Sequence, residues 1–263
     1  MKLSERILDY YEDRTKTFLM RKMITIIRLD GKGFSKLTKP LNKPFDTDFS
    51  DDMDATAVYL CENIQGIKFA YTQSDEITLV LTDFDNNESQ AWYDYNVQKM
   101  TSISASLATA KFNQLRSLRK IQAISGTGIS CASEFSSYQL ATFDSRVFQV
   151  PSVDEMVNTL LWRQQDCTRN SISMAADALY PHKLLEGKSG SEKQDLLMEK
   201  GVNWNNYQTK FKRGSVIKKE KVIINGQNGE PIERNKWLSD KNTPIFSQNK
   251  EYLIDLIVNK ELV

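Results

Sequence analysis

Two apolar runs in this chain are each cut short by acids, and that pattern restricts the folds open to it. The first is Ile26 to Phe34 (IIRLDGKGF) and the second is Ala70 to Leu81 (AYTQSDEITLVL). Met23 to Leu29 is rich enough in isoleucine to be a strand buried on both faces. It delivers Asp30 to its carboxyl end, where a carboxylate can face solvent and a ligand. Gly31, Lys32 and Gly33 then permit a tight turn, and successive amides in such a turn can cradle a phosphate oxygen. A bare Asp-Gly alone also suits an ordinary hairpin. Ile67 to Thr72 and Ile77 to Leu81 are strand-like, with Gln73-Ser74-Asp75-Glu76 between them, so a hairpin with acids at its tip is predicted. If that hairpin pairs beside the Met23 strand, Asp30 and Asp75 converge although 45 residues separate them. Two or three carboxylates brought together repel one another unless a cation sits between them. Hard oxygen donors select magnesium, which takes one or two carboxylates and leaves its other positions to water and nucleotide phosphate. Asp30, Asp75 and Glu76 are therefore candidates for metal-dependent nucleotidyl transfer, with two metals held roughly 3.5–4 Å apart.

Composition removes several alternatives. At 263 residues the chain suits one domain with appendages or two small ones, and is expected to be a whole folding unit rather than a fragment. Its 40% hydrophobic and 26% charged residues are ordinary for a soluble globular protein, and no run approaches the ~18 apolar residues of a membrane span. The opening MKLSERILDYYEDRTKTFLM lacks the apolar block of a signal peptide, so a cytoplasmic protein is expected. Cys61, Cys131 and Cys167 are odd in number and far apart, against both a disulfide framework and a paired-cysteine zinc site. The single histidine, His182, follows Tyr180-Pro181 and is expected in a loop; it removes most triad and histidine–metal chemistry. Lys and Arg total 35 against 34 Asp and Glu, so any RNA surface must be local.

Along the chain, residues 1 to 20 read as an amphipathic packing helix through Leu3, Ile7, Leu8, Tyr11, Phe18 and Leu19. Asp46, Asp48, Asp51, Asp52 and Asp54 lack EF-hand spacing and read as the solvated acidic first turn of a helix to about Gln65. Ser89 to about Arg116 is a second helix, with a basic cluster of Arg116, Arg119 and Lys120 just beyond it and an excursion up to Tyr138. Thr142 to Val150 is a strand, and Ser152 with Glu155 has the spacing of a capping box that starts a helix towards Tyr180. Ser191 with Gln194 starts a shorter helix ending at Gly201. Val202 to Lys219 reads as a flexible loop whose lysines, arginine and aromatics could hold phosphates and stack bases. The stretch KVIINGQNGEPIERNKW suits a hairpin, and Leu253 to Val258 could close a sheet edge or an oligomer contact. The division expected is 1–150 as a palm-like catalytic core, 151–220 as a helical and basic-loop region, and 221–263 as a C-terminal hairpin and edge segment.

Five stretches taken together resemble the tRNA-His guanylyltransferase family and its wider set of 3′-to-5′ polymerases. They are Glu12 to Leu19, Ile26 to Asp46, Tyr71 to Ile77, Phe143 to Ser152, and Trp162 to Cys167 followed by Lys212 to Gly214. The resemblance covers roughly residues 1 to 220 and implies an α+β, polymerase-palm-like antiparallel sheet with packed helices. It also implies an enzyme that adds nucleotides to RNA 5′ ends with Mg2+, ATP and GTP, acts on tRNA, and assembles as a homotetramer. Asp30, the Gly31 carbonyl and Asp75 match the ligands of two magnesium ions, and Glu76 matches a supporting acid. One ion favours attack by an RNA hydroxyl and the other neutralises the leaving pyrophosphate. The amides of Lys32, Gly33 and Phe34, with Lys43 and Ser74, match positions that hold triphosphate. Arg28, Lys99, Arg146, Asn170, Lys193 and Arg213 match contacts to nucleotide or RNA more loosely.

Two departures from the family pattern bear on substrate. Dedicated tRNA-His enzymes carry His-Ile-Asn-Asn after the Asp-Cys pair, whereas this chain has Thr168-Arg169-Asn170-Ser171. That form resembles the branch associated with template-directed repair of truncated tRNA 5′ ends. Asn96 stands where a basic residue is expected, so a 5′-end contact is missing or supplied elsewhere. Beside tRNA repair stand dedicated tRNA-His maturation, a nucleotide cyclase built on the same palm, and a non-catalytic RNA-binding protein. Joint retention of Asp30, Gly31, Asp75, Glu76 and Lys43 speaks against the last of these.

Overall fold

The computed structural model describes residues 1–124, 139–225 and 230–258. Cys131, most of the excursion before Tyr138 and the glycine turn of the C-terminal hairpin lie outside the described residues. The isoleucine-rich run forms β1, Ile24–Gly31, and the second acid-ended pair forms β2, Ile67–Gln73, and β3, Glu76–Leu81. With β4, Phe143–Val150, β5, Ser215–Asn225, and β6, Pro231–Asp240, they make a six-stranded sheet of order β4-β1-β3-β2-β5-β6. Each neighbouring pair is antiparallel.

Helices cover both faces, which is why the central strands are apolar on both sides. After α1, Leu3–Ile7, and α2, Phe34–Leu37, come α3, Thr47–Asn63, and α4, Val97–Ile124. The last two pack Met53, Ala57, Leu60, Met100, Ala108 and Phe112 on Ile27, Leu29, Ile77 and Leu79. Onto the opposite face comes α5, Val153–Asp177, against which α6, His182–Leu185, α7, Gly190–Glu199, and α8, Thr209–Arg213, pack in turn, and then α9, Glu251–Val258. There Met156, Val157, Leu160, Leu253 and Ile257 meet Ile24, Ile26, Phe69, Tyr71 and Val80. The β1-α3-β2-β3-α4-β4 sequence is a split βαβ arrangement. A register shift between Ile67 and Phe69 turns these two residues to opposite faces, which a regular period of two would forbid.

Several expectations need correction. Residues 1 to 20 do not form one packed helix: α1 gives way to a wide turn at Leu8–Glu12 and a tight one at Asp13–Thr15, and Leu3, Ile7, Leu8 and Tyr11 are exposed. The acidic turn is not solvated throughout. Asp46 caps α3 by accepting from the Phe49 amide, Asp52 and Asp54 are buried, and Asp51 pairs with Lys210 and Lys241. Arg116, Arg119 and Lys120 lie within α4 rather than beyond it, where Arg116 and Arg119 bind Asp52.

Further along, Ser152 accepts from the Glu155 amide as expected. The cap of α7 is Ser189 with Glu192, two residues before the pair read from spacing, and His182 opens α6 instead of lying in a loop. The supposed basic loop is folded: α8 buries Lys210 and Lys212, and Lys212 donates to the Asn205 carbonyl at 2.5 Å. Leu253 to Val258 lies in α9, with Leu253 and Ile257 buried in the core of this chain rather than at a sheet edge. At Gly214 the backbone has φ +73°, and a Cβ would lie 2.5 Å from the Thr72 carbonyl oxygen, so only glycine lets α8 turn into β5 beside β2. Among the described residues, no helix is long and apolar enough to cross a membrane.

Candidate active site

The carboxyl end of β1 and the β2–β3 turn are adjacent because Asp30 is the register partner of Glu76, with Asp144 of β4 on the other side. The Gly31 amide donates to the Asp75 carbonyl at 3.1 Å, and the Lys32 amide to the Thr142 carbonyl at 2.8 Å. Ser74 takes φ +49° at the first position of a two-residue turn, where glycine is usual, and this strain accompanies the placement of Asp75. Gly31 has its own constraint: a Cβ there would meet the Phe34 ring at 2.4 Å. Phe34, packed on Phe112 and Phe143, thereby fixes the loop that follows Asp30.

Burial pushes the Asp75 carboxyl above its ordinary range; hydrogen bonding to its own backbone amide opposes this, and the negative charge of Asp30 adds to it. Glu76 is also raised by burial, against the charges of Arg163 and Arg28. Its carboxylate receives the Arg163 Nε at 2.8 Å and lies 4.0 Å from the Arg28 Nε. Glu76 is thus turned to an arginine rather than to its neighbours, so two acids converge and not three. Among the described residues, no three His, Cys, Asp or Glu side chains are gathered about one metal position. Two carboxylates with substrate phosphate and water still satisfy magnesium, so Asp30 and Asp75 fit that ion.

A cavity beside Ser74 and Asp75 is lined by Phe34, Thr38, Asn42, Lys43, Asp46 and Met174. It shares Asp46, Phe49, Ser74 and Met174 with a more apolar hollow walled by Phe45, Met53, Phe211 and Asn170. Lys43 donates to the Thr38 carbonyl at 3.0 Å, which holds its ammonium group at the cavity. Lys32 and Gly33 follow Asp30 in the turn into α2, with Gly33 in the left-handed region.

The remaining predicted contacts divide. Arg28 and Arg146 are register partners on the sheet face that carries Asp30, and Asn170 reaches Asp166 at 3.4 Å at the hollow's edge. Arg213 ends α8 and its carbonyl accepts from the Tyr71 hydroxyl at 2.8 Å. Lys193 donates to Ser173 at 2.9 Å and ties α7 to α5. Lys99 lies in the first turn of α4, whose Ser104 and Thr109 meet Ser145 and Phe143 in turn, so α4 approaches the acids only further along. The structure therefore does not bring Lys99 to the acidic end. Asn96 is buried and its side chain accepts from the Lys99 amide, making it the cap of α4 rather than a vacant RNA contact.

Arg163 was not among the predicted site residues. It falls on the buried stripe of Met156, Leu160, Cys167 and Ser171, and a charge on such a stripe signals a buried partner. Its Nη2 also binds Asp166 at 2.6 Å, and Asp166 receives Arg169 at 2.6 Å. Burial works to raise the Asp166 carboxyl, but Arg169 and Arg163 outweigh it and hold the group below its ordinary range. A charged chain thus joins Glu76 to the polar side of α5.

A palm-type antiparallel sheet with two carboxylates at neighbouring strand ends, opening on a lysine-bearing cavity, defines the class: a nucleotidyltransferase. Comparison with known sequences narrows it. The chain belongs to the tRNAHis guanylyltransferase family, whose model matches residues 5–151. Protein R259 of Acanthamoeba polyphaga mimivirus is 30% identical over 74% of this chain and 70% of its own length. A bacterial tRNA(His) guanylyltransferase-like protein solved with ATP is similar over 98% of this chain and 99% of its own, at 37% identity and a TM-score of 0.81. A bacterial protein of the same description, solved with GTP, is 36% identical with a TM-score of 0.78, over 97% and 99% of the two chains.

Proposed function

We propose that this protein adds nucleotides to RNA 5′ ends in the 3′-to-5′ direction, directed by the opposing strand, and so repairs tRNAs shortened at that end. The observation that carries this reading is the meeting of Asp30 and Asp75 beside the cavity of Ser74 and Lys43. The ATP and GTP complexes of the bacterial relatives support the same nucleotides as substrates here. Asp30, the Gly31 carbonyl and Asp75 are the groups that would hold two magnesium ions. When bound, such ions supply neutralisation of triphosphate charge and a more acidic attacking hydroxyl.

The chain's own groups do the rest. The Gly33 and Phe34 amides and Lys43 orient the triphosphate, Lys43 as a point charge, whereas the expected Lys32 amide is already given to the Thr142 carbonyl. The hollow walled by Phe45, Phe49 and Phe211 offers an apolar surface for a base. Arg163 holds Glu76 in place behind the two acids. A 5′-monophosphate is first joined to the α-phosphorus of ATP or GTP with loss of pyrophosphate. The 3′-hydroxyl of an incoming nucleotide then displaces the activating nucleotide, and an RNA already bearing a triphosphate needs no activation. A homotetramer, which rests on family resemblance alone, and a cytoplasmic setting belong to the same proposal.

Guanosine addition to tRNA-His is the second reading, favoured by the family's name. Thr168 to Ser171 support repair instead. Thr168 donates to the Lys212 carbonyl at 3.1 Å, Ser171 accepts from the Trp204 indole at 3.0 Å, and Arg169 and Asn170 both reach Asp166, so all four side chains are engaged within the fold. The test is a tRNA shortened by one 5′ nucleotide, presented with each nucleotide in turn. The added nucleotide should pair with the opposing 3′-strand base and change when that base is changed. Addition of guanosine alone, opposite every base and only to full-length tRNA-His, would replace repair by maturation.

A further inference from the structure

On α5 the usual order of burial is inverted at two adjacent residues: Arg163 is 6% exposed, whereas Trp162 is 49% exposed. The tryptophan is nevertheless held. The Arg163 guanidinium lies 4.1 Å from its ring centroid, and that arginine is fixed by Glu76 and Asp166. The Arg28 guanidinium lies 5.4 Å from the same centroid. Arg28 and Asp30 are two residues apart on one face of β1, about 6.6 Å along the strand. Arg146, half-exposed, stands opposite Arg28 on β4. An indole oriented by ion-paired guanidinium groups, with half its surface open and one further arginine, Arg146, on the same sheet face, suits a ligand that carries both π-faces and phosphates.

We propose that Trp162 is a stacking platform for the terminal base of the RNA substrate, beside the 5′ end on which the acids act. This rests on the reading of the protein as an enzyme of RNA 5′ ends. The nucleoside triphosphate is assigned to the acids and the cavity of Lys43, and the platform sits on the sheet face bearing Arg28 and Asp30, which leaves that face for the RNA end. Stacking is tolerant of base identity, since each base has a π-face, which suits an enzyme whose choice of nucleotide comes from pairing.

The test compares the full-length protein with Trp162→Ala and Trp162→Phe on two 5′-shortened tRNAs, one with its normal 5′-terminal base and one abasic at that nucleotide. Trp162→Ala should raise the KM for the normal RNA about tenfold or more, Trp162→Phe should restore most of it, and ATP affinity without RNA should not change. The abasic RNA should show the same weakness with wild-type protein and no further loss with Trp162→Ala. Losses that multiply independently would overturn the platform. So would an unchanged KM with a fall from oligomer to smaller species, which would mean that a second copy of the chain covers the ring. RNA binding gives a separate reading: RNA should quench wild-type tryptophan fluorescence, and Trp162→Phe should remove that quench. Quenching without any nucleotide addition would uphold the platform while ending the enzymatic reading, and addition without Trp162-dependent quenching would do the reverse.

Discussion

Asp75 sits where the fold works hardest against a charge. It is partly buried in a strained turn and faces the negative charge of Asp30. Because its folded value is raised, the proton is favoured in the native state. That stabilisation is present in full below the unfolded value of about 3.9 and is lost as pH rises through the folded value. At neutral pH the ionised pair therefore opposes folding of the metal-free protein. Asp75→Asn should raise the urea midpoint at pH 7, and the gain should vanish below about pH 4 as the wild-type carboxyl takes up its proton. The same variant should reduce nucleotide addition to background, because an amide replaces a charged ligand. Near-normal addition by Asp75→Asn would remove the two-carboxylate account of the site. The position of Asp75 was legible in the sequence, since an apolar run that stops at a Gln-Ser-Asp-Glu turn leaves little else for the acids to do. The orientation of Glu76 was not, because it depends on Arg163, which lies 87 residues away on the helix α5 that packs across the same sheet face.

At the scale of elements, α3 shows where local reading ends. Its start was legible from Asp46, a side chain with the right spacing to accept from a first-turn amide. Its acids were not legible, because their partners lie on other elements: Arg116 and Arg119 on α4, Lys210 on α8 and Ser239 on β6. The run of aspartates is a set of ties between α3 and the elements packed round it. Burial of the receiving group grades those ties. The Asp52 side chain is 3% exposed and receives Arg119 at 2.6 Å, while the Asp48 side chain is 65% exposed and receives the same residue at 3.0 Å. Asp52→Ala removes the buried carboxylate that Arg116 and Arg119 share and should lower stability by about 2 kcal/mol, the part-exposed arginines recovering some solvation, whereas Asp48→Ala should cost less than about 1 kcal/mol. Urea unfolding of the two variants checks this, and equal losses would contradict the grading. The same dependence on distant partners explains why Lys210 and Lys212 read as a free basic loop and are instead buried.

Across the whole molecule, charge is nearly balanced at +1, and much of the positive charge is spent internally. Lys68 binds Asp85, Lys210 and Lys241 bind Asp51, and Lys218 binds Glu220 and Asp240. A single chain built this way has little broad field with which to draw in a polyanion, so RNA affinity should come from a few contacts near the acids, with Arg28 and Arg146 among them. Counterion release turns that into a number. Three phosphate contacts on a duplex acceptor stem give a slope of about −2.7 in log affinity against log salt, or about a 40-fold loss between 50 and 200 mM. Affinity for a 5′-shortened tRNA measured across that range should follow such a shallow line. Arg146→Gln should reduce the slope by about one contact, in contrast to Trp162→Ala, which should weaken binding without changing it. A wild-type slope steeper than about −6 would mean that six or more phosphates are engaged, more than these residues can serve, and the RNA surface would then have to extend well beyond the acidic end of the sheet.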